Sequence, residues 1–157
     1  MKAFYVTILL GTLTYFNVLA QENKEFVFEQ DPKSLDISGI NQADVKSHVL
    51  GDGIAKKMVL LSDRYTQIVP ATPTSPVEKT MVKKPIIYNS IKKLNKYYSK
   101  AVKKNEMDTA VAKAEFEKCL DIALIIYNKN TSQFEQTLKE AKQPKDILSV
   151  FNKVVIE

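Results

Sequence analysis

Between Ile86 and Lys104 apolar residues return every three or four positions, at Ile87, Ile91, Leu94, Tyr98, Ala101 and Val102. Lys92, Lys93, Lys96, Lys100, Lys103 and Lys104 fall opposite them. At one residue per about 100° the apolar set fills an arc of roughly 100°, the pattern of a helix with one face committed to a core. No other segment so limits what the chain can become. A second helix is predicted from about Asp108 to Tyr127, with Ala112, Phe116, Cys119, Leu120, Ala123, Ile126 and Tyr127 as its stripe and Glu117, Lys118 and Asp121 on the far side. Its end, LDIALIIY, is apolar almost all round, so this helix is expected at the centre.

A third helix is expected near Ser132, where Ser132 and Glu135 have capping-box spacing and Phe134, Leu138 and Ala141 share a face. Pro144 suits the first turn of a fourth, with Ile147, Leu148, Phe151 and Val154 inward. The final Val154-Val155-Ile156 has extended conformation as its alternative. Short links at 104–107 and 128–131 imply antiparallel neighbours. The fold class expected is mainly α: a small antiparallel bundle of three to four helices over about residues 86–156, with an irregular N-terminal part holding a short strand or hairpin.

That N-terminal part, residues 21–68, has weak periodicity and three of the chain's four glycines. Phe26-Val27-Phe28 is a strand candidate. Residues 41–61 read either as a helix capped by Asn41 and ended by Gly51, the favoured choice, or as a hairpin turning at Gly51-Asp52-Gly53 with Ile54–Leu61 returning. Tyr65–Val69 is expected to be extended. Residues 69–85, with Pro70, Pro73, Pro76 and Pro85, form a proline-rich connector ahead of the bundle at 86–157.

Residues 1–20, MKAFYVTILLGTLTYFNVLA, place Lys2 before an apolar run without acids and end in Val18-Leu19-Ala20. This is the layout of a secretory signal peptide, cleaved between Ala20 and Gln21. Thr7, Gly11, Thr12, Thr14 and Asn17 thin the run below what a membrane span of about 20 apolar residues requires. The mature chain is then expected to be periplasmic or extracellular, with no transmembrane segment. Its lysine- and asparagine-rich, arginine-poor composition suggests a bacterial source.

From Lys79 to Asn105 there are nine lysines and no acid, in a chain whose net charge is only +5. Lys92, Lys93, Lys96, Lys100 and Lys103 are the candidate residues for binding an anionic surface. The competing account is solvation of an outer helix face, with Glu106, Asp108, Glu115, Glu117 and Asp121 of the next helix neutralising it. Nucleic acid is a poor partner for this set, because Arg64 is the chain's one arginine and no reader motif is present.

Catalytic patterns are thin. The single histidine, His48, has no carboxylate beside it in sequence, and Cys119 lies on an apolar stripe where a thiol stays protonated. Glu117 and Asp121 are paired acids on a predicted outer face, and Gly51-Asp52-Gly53 lacks the further acids of a calcium loop. Tyr65 and Tyr88 flank the connector and Tyr97 and Tyr98 sit on the lysine helix, so these tyrosines are expected to cover the bundle beneath the proline-rich stretch. No cofactor or metal is implied. The reading is an exported, non-enzymatic interaction module whose partner is an unidentified protein or an anionic envelope component; the alternative is a small exported enzyme without a recognisable motif.

Overall fold

The computed structural model describes residues 24–65 and 86–157, so the expected export segment and the proline-rich connector lie outside the described residues. Five helices are described: α1 (Asp52–Tyr65), α2 (Ile86–Lys103), α3 (Thr109–Ile125), α4 (Ser132–Glu140) and α5 (Pro144–Phe151). Two short strands, β1 (Phe26–Phe28) and β2 (Val154–Ile156), complete them. The described residues form a mainly helical bundle with one small sheet.

The stripe on α2 is inward as its spacing requires: Ile87, Ile91, Leu94, Tyr98 and Ala101 are buried. The helix stops at a Schellman turn. Asn105 adopts a left-handed φ of 55°, its amide donates to the Val102 carbonyl at 3.0 Å, and the Glu106 amide reaches back to Ala101 at 2.9 Å. Asp108 then opens α3, its Oδ1 accepting from the amides of Ala110 and Val111 at 2.8 and 3.2 Å. Residues Ile122 to Ile126 are all buried, because α3 packs against α1, α2 and α5 at once. That is the central helix expected from its apolar end.

The start of α4 differs from expectation. Thr131 is its N-cap without a side-chain bond, and Asn130 Oδ1 instead accepts from the Ser132 amide and hydroxyl, so Ser132 and Glu135 form no capping box. The reciprocal box lies one helix later, between Gln143 and Asp146 at the head of α5, with Pro144 in its first turn. Val154 is buried as expected, but in β2 rather than on the fourth predicted helix.

The strands join the two ends of the described chain in parallel, Phe26 opposite Val154 and Phe28 opposite Ile156. Parallel pairing demands a long crossover, and here the whole bundle supplies it. The sheet is held down by rings meeting edge to face: Phe134 stands 5.2 Å from Phe26 and 5.3 Å from Phe151.

Residues 41–61 follow neither predicted course. Asn41 does cap, through Oδ1 to the Ala43 amide, but only a three-residue 3-10 turn, Gln42–Asp44. The chain is then irregular to Gly51, and α1 begins where the hairpin turn was expected. Gly51 takes a φ of 100°, a conformation that suits glycine, and its carbonyl accepts from Ala55 at 3.1 Å as the first bond of the helix. Gly51 thus starts a helix instead of ending one. Tyr65, expected to be extended, belongs to α1, and the rest of that expected extended stretch, residues 66–69, lies outside the described residues.

Candidate functional site

Lys92, Lys93, Lys96, Lys100 and Lys103 are all exposed on the outer side of α2. Helix geometry puts them within an arc of about 100° and along about 16 Å of axis, so the fold brings them into one strip. The Lys92 ammonium stands 5.8 Å from the centre of the Tyr88 ring. Among the described residues no carboxylate comes within ion-pair distance of any of the five; Lys104, just past the helix, meets Glu106 at 3.5 Å in a pair exposed on both sides.

The acids of α3 are used elsewhere. Glu115 Oε2 accepts from the Tyr98 hydroxyl at 2.9 Å, and Asp108 is spent on its cap. Glu117 and Asp121, expected on the free side of the helix, instead face α1. Lys57 Nζ donates to Glu117 Oε1 at 2.9 Å and lies 2.7 Å from Asp121 Oδ1, the second contact being an ion pair without an aligned hydrogen bond. Burial disfavours the Lys57 ammonium, but Asp121 and Glu117 outweigh it and raise its pKa. Burial raises the pKa of Asp121, with Lys57 pulling the other way. A lysine held between two carboxylates is a clamp joining α1 to α3. It faces a shallow groove of about 590 Å3 whose other walls include Leu35, Ile122 and Val154.

His48 is equally committed. Its Nδ1 accepts from the Leu50 amide at 3.0 Å, which leaves Nε2 to donate to Asn95 Oδ1 at 2.7 Å. The ring ties the irregular segment before α1 to the flank of α2, and Ser99 Oγ also donates to Asn95 at 3.2 Å. Cys119 is fully buried, and burial pushes its thiol up to about 12, so it packs as a small hydrophobe. Tyr65, Tyr88 and Tyr98 are core residues, and the proline-rich stretch expected over them lies outside the described residues; the Tyr65 hydroxyl donates to the Ala123 carbonyl at 2.7 Å, and its ring stands 5.0 Å from that of Tyr127.

Arg64, the residue whose isolation argued against nucleic acid, is a structural tether. Its Nη1 donates to the carbonyls of Ser34 and Leu124 at 2.7 and 3.1 Å, pinning the loop after β1 to the end of α3. Sequence reasoning missed Lys57, Arg64 and Asn95 as organising residues. For Lys57 there was a signal, the Lys56-Lys57 pair inside the otherwise apolar run of residues 54–61; Asn95 had none. Among the described residues no three His, Cys, Asp or Glu side chains are grouped to hold a metal, and no helix is long and apolar enough to cross a membrane. Compared with known proteins, the chain matches no family model, no curated protein and no solved structure.

Proposed function

We propose that this chain is an exported, non-enzymatic binding module that adsorbs to an anionic component of the cell envelope through the lysine face of α2. One observation carries the reading: five exposed ammonium groups share one helix face and, among the described residues, none of them pairs with a carboxylate, Glu117 and Asp121 being held by Lys57 and Glu106 by Lys104. Lysines act there as hydrated point charges, so binding is loose, weakly selective and sensitive to salt. Each contributes about 1 kcal/mol near an anionic surface, which makes five sufficient without a lipid anchor. Co-sedimentation with isolated envelope fragments at low and high salt tests it. The wild type is expected in the pellet at low salt and the variant with Lys92, Lys93, Lys96, Lys100 and Lys103 all changed to Gln in the supernatant. Equal binding by both, or binding by neither, overturns the reading.

A further inference from the structure

Resting on that reading, the geometry points to a narrower ligand class: we infer that the α2 face takes a single linear phosphate polymer without bases, laid along the helix, rather than the plane of a lipid bilayer. The argument begins with width. The five lysines form a strip one helix wide, and Lys92, Lys96, Lys100 and Lys103 follow one another along it at rises of about 6, 6 and 4.5 Å. Beyond α2 and its terminal turn the described residues carry no excess of positive charge, acidic residues slightly outnumbering basic ones.

A bilayer extends past the strip and presents its potential to everything within a Debye length of about 8–10 Å of its plane, so it also covers flanking surface that adds no net positive charge. A single chain follows the strip itself. Nor does the strip offer the apolar side chains by which an interfacial helix sinks into headgroups, because the large exposed hydrophobic residues among those described, Val27, Val111 and Val155, all lie on other elements.

The absence of bases follows from the rings. Single-stranded nucleic acid is held by exposed aromatic faces on which bases stack. Tyr88 and Tyr98 are buried, and the half-buried Tyr97 is packed edge to face on Tyr98 at 5.1 Å. The strip supplies charge without a stacking platform. Lysine, lacking the guanidinium fork, meets phosphate as a point charge, which suits a flexible chain that fixes no single geometry.

The test is a set of titrations of the purified protein with long-chain inorganic polyphosphate, tripolyphosphate, phosphatidylglycerol vesicles and single-stranded oligothymidine, each between 50 and 200 mM salt. If five lysines engage one chain, the logarithm of affinity for long polyphosphate falls against the logarithm of salt with a slope of about −3.5, a loss of about 100-fold over that range. Tripolyphosphate, too short to span the strip, is expected to bind at least tenfold more weakly. The five-fold Lys→Gln variant is expected to lose at least tenfold in polyphosphate affinity. A charge-matched control with the exposed Lys46, Lys113, Lys129, Lys139 and Lys145 changed to Gln is expected to lose less than threefold. Tighter binding to vesicles than to polyphosphate, with the same dependence on the α2 lysines, overturns the linear-chain assignment and leaves the anionic-surface reading standing. Tighter binding to oligothymidine overturns the assignment of a base-free polymer. Binding to none of the probes, or equal losses in both five-fold variants, overturns this inference and the broader reading together.

Discussion

The segments before and after the connector are built on different principles. Over residues 86–157 the helices are specified by apolar stripes, and polar bonds mostly trim their ends: Asp108 at α3, Gln143 and Asp146 at α5, the Asn105 turn after α2. Over residues 24–65 a few buried apolar residues, Leu50, Ile54 and Leu61 among them, are joined by individual polar tethers reaching into the other region. His48 holds Asn95, Arg64 holds the Leu124 carbonyl, Lys57 holds Glu117 and Asp121, and Tyr65 holds the Ala123 carbonyl. A stripe spreads its information over many residues. A tether concentrates it in a pair whose partners lie tens of positions apart.

The largest expected effects fall in the stripe-built region. Phe116 and Leu120 are fully buried on α3, and truncating either to Ala is expected to cost about 2–5 kcal/mol through lost burial and the cavity left behind. Denaturant unfolding monitored by circular dichroism reads it. Unchanged stability in both variants would mean that α3 is not the centre of the core.

Next comes the strongest tether. Changing Arg64 to Met keeps much of the stem but strands the carbonyls of Ser34 and Leu124, at an expected cost of about 2–3 kcal/mol. Amide exchange gives the sharper reading, since residues 31–35 should lose protection before α3 does. Uniform loss throughout would mean that the loop and the bundle unfold as one unit.

Alkali acts on both regions with the same sign. Burial raises the pKa of Cys119 to about 12 from an ordinary 9.0 and raises those of Tyr65 and Tyr98 above their ordinary 10.0, so all three stay protonated in the folded chain while the unfolded chain ionises. Their contribution is complete below about pH 9 and lost as pH rises toward the folded values. The raised Lys57 acts with the same sign, its contribution being present below 10.5 and lost above it. Stability is therefore expected to fall steadily above pH 9, and Cys119→Ala is expected to make the fall shallower between pH 9 and 12. An identical slope in wild type and variant would show that the thiol is not shielded.

His48→Ala is expected to cost less, about 1–2 kcal/mol, because two bonds go but the site is only half-buried. The exchange protection of the Leu50 amide reads the loss locally. This pair also explains what the sequence withheld. The faces of α2, α3 and α5 were legible because periodicity is local: Ile87, Ile91 and Leu94 report on one another within two turns. The start of α1 was not, since Gly51 followed by Asp52 and Gly53 is as good a hairpin turn as a helix start, and a partner 47 residues away decides between them. Glu117 and Asp121 were placed on a free side for the same reason. Their spacing gives a face, but not the lysine on another helix that covers it. The candidate strip was legible because its five lysines share one helix and need no tertiary partner.

The smallest effect on stability is expected from the residues proposed to matter most for binding. Lys92 and Lys96, Lys96 and Lys100, Lys93 and Lys96, and Lys100 and Lys103 are like-charged neighbours three or four apart, a spacing that destabilises a helix by a few tenths of a kcal/mol per pair at low salt. None of the five forms an ion pair among the described residues, so replacing all with Gln removes repulsion without breaking a tether. The variant is expected to be as stable as the wild type or more so by up to about 1 kcal/mol, with the gain shrinking as salt rises. A chain folded by stripes and tethers tolerates the loss of a strip that belongs to neither. Thermal unfolding in low and high salt makes the comparison. A five-fold variant markedly less stable than wild type would show that the strip is part of the scaffold and would remove the reason for assigning it to a ligand.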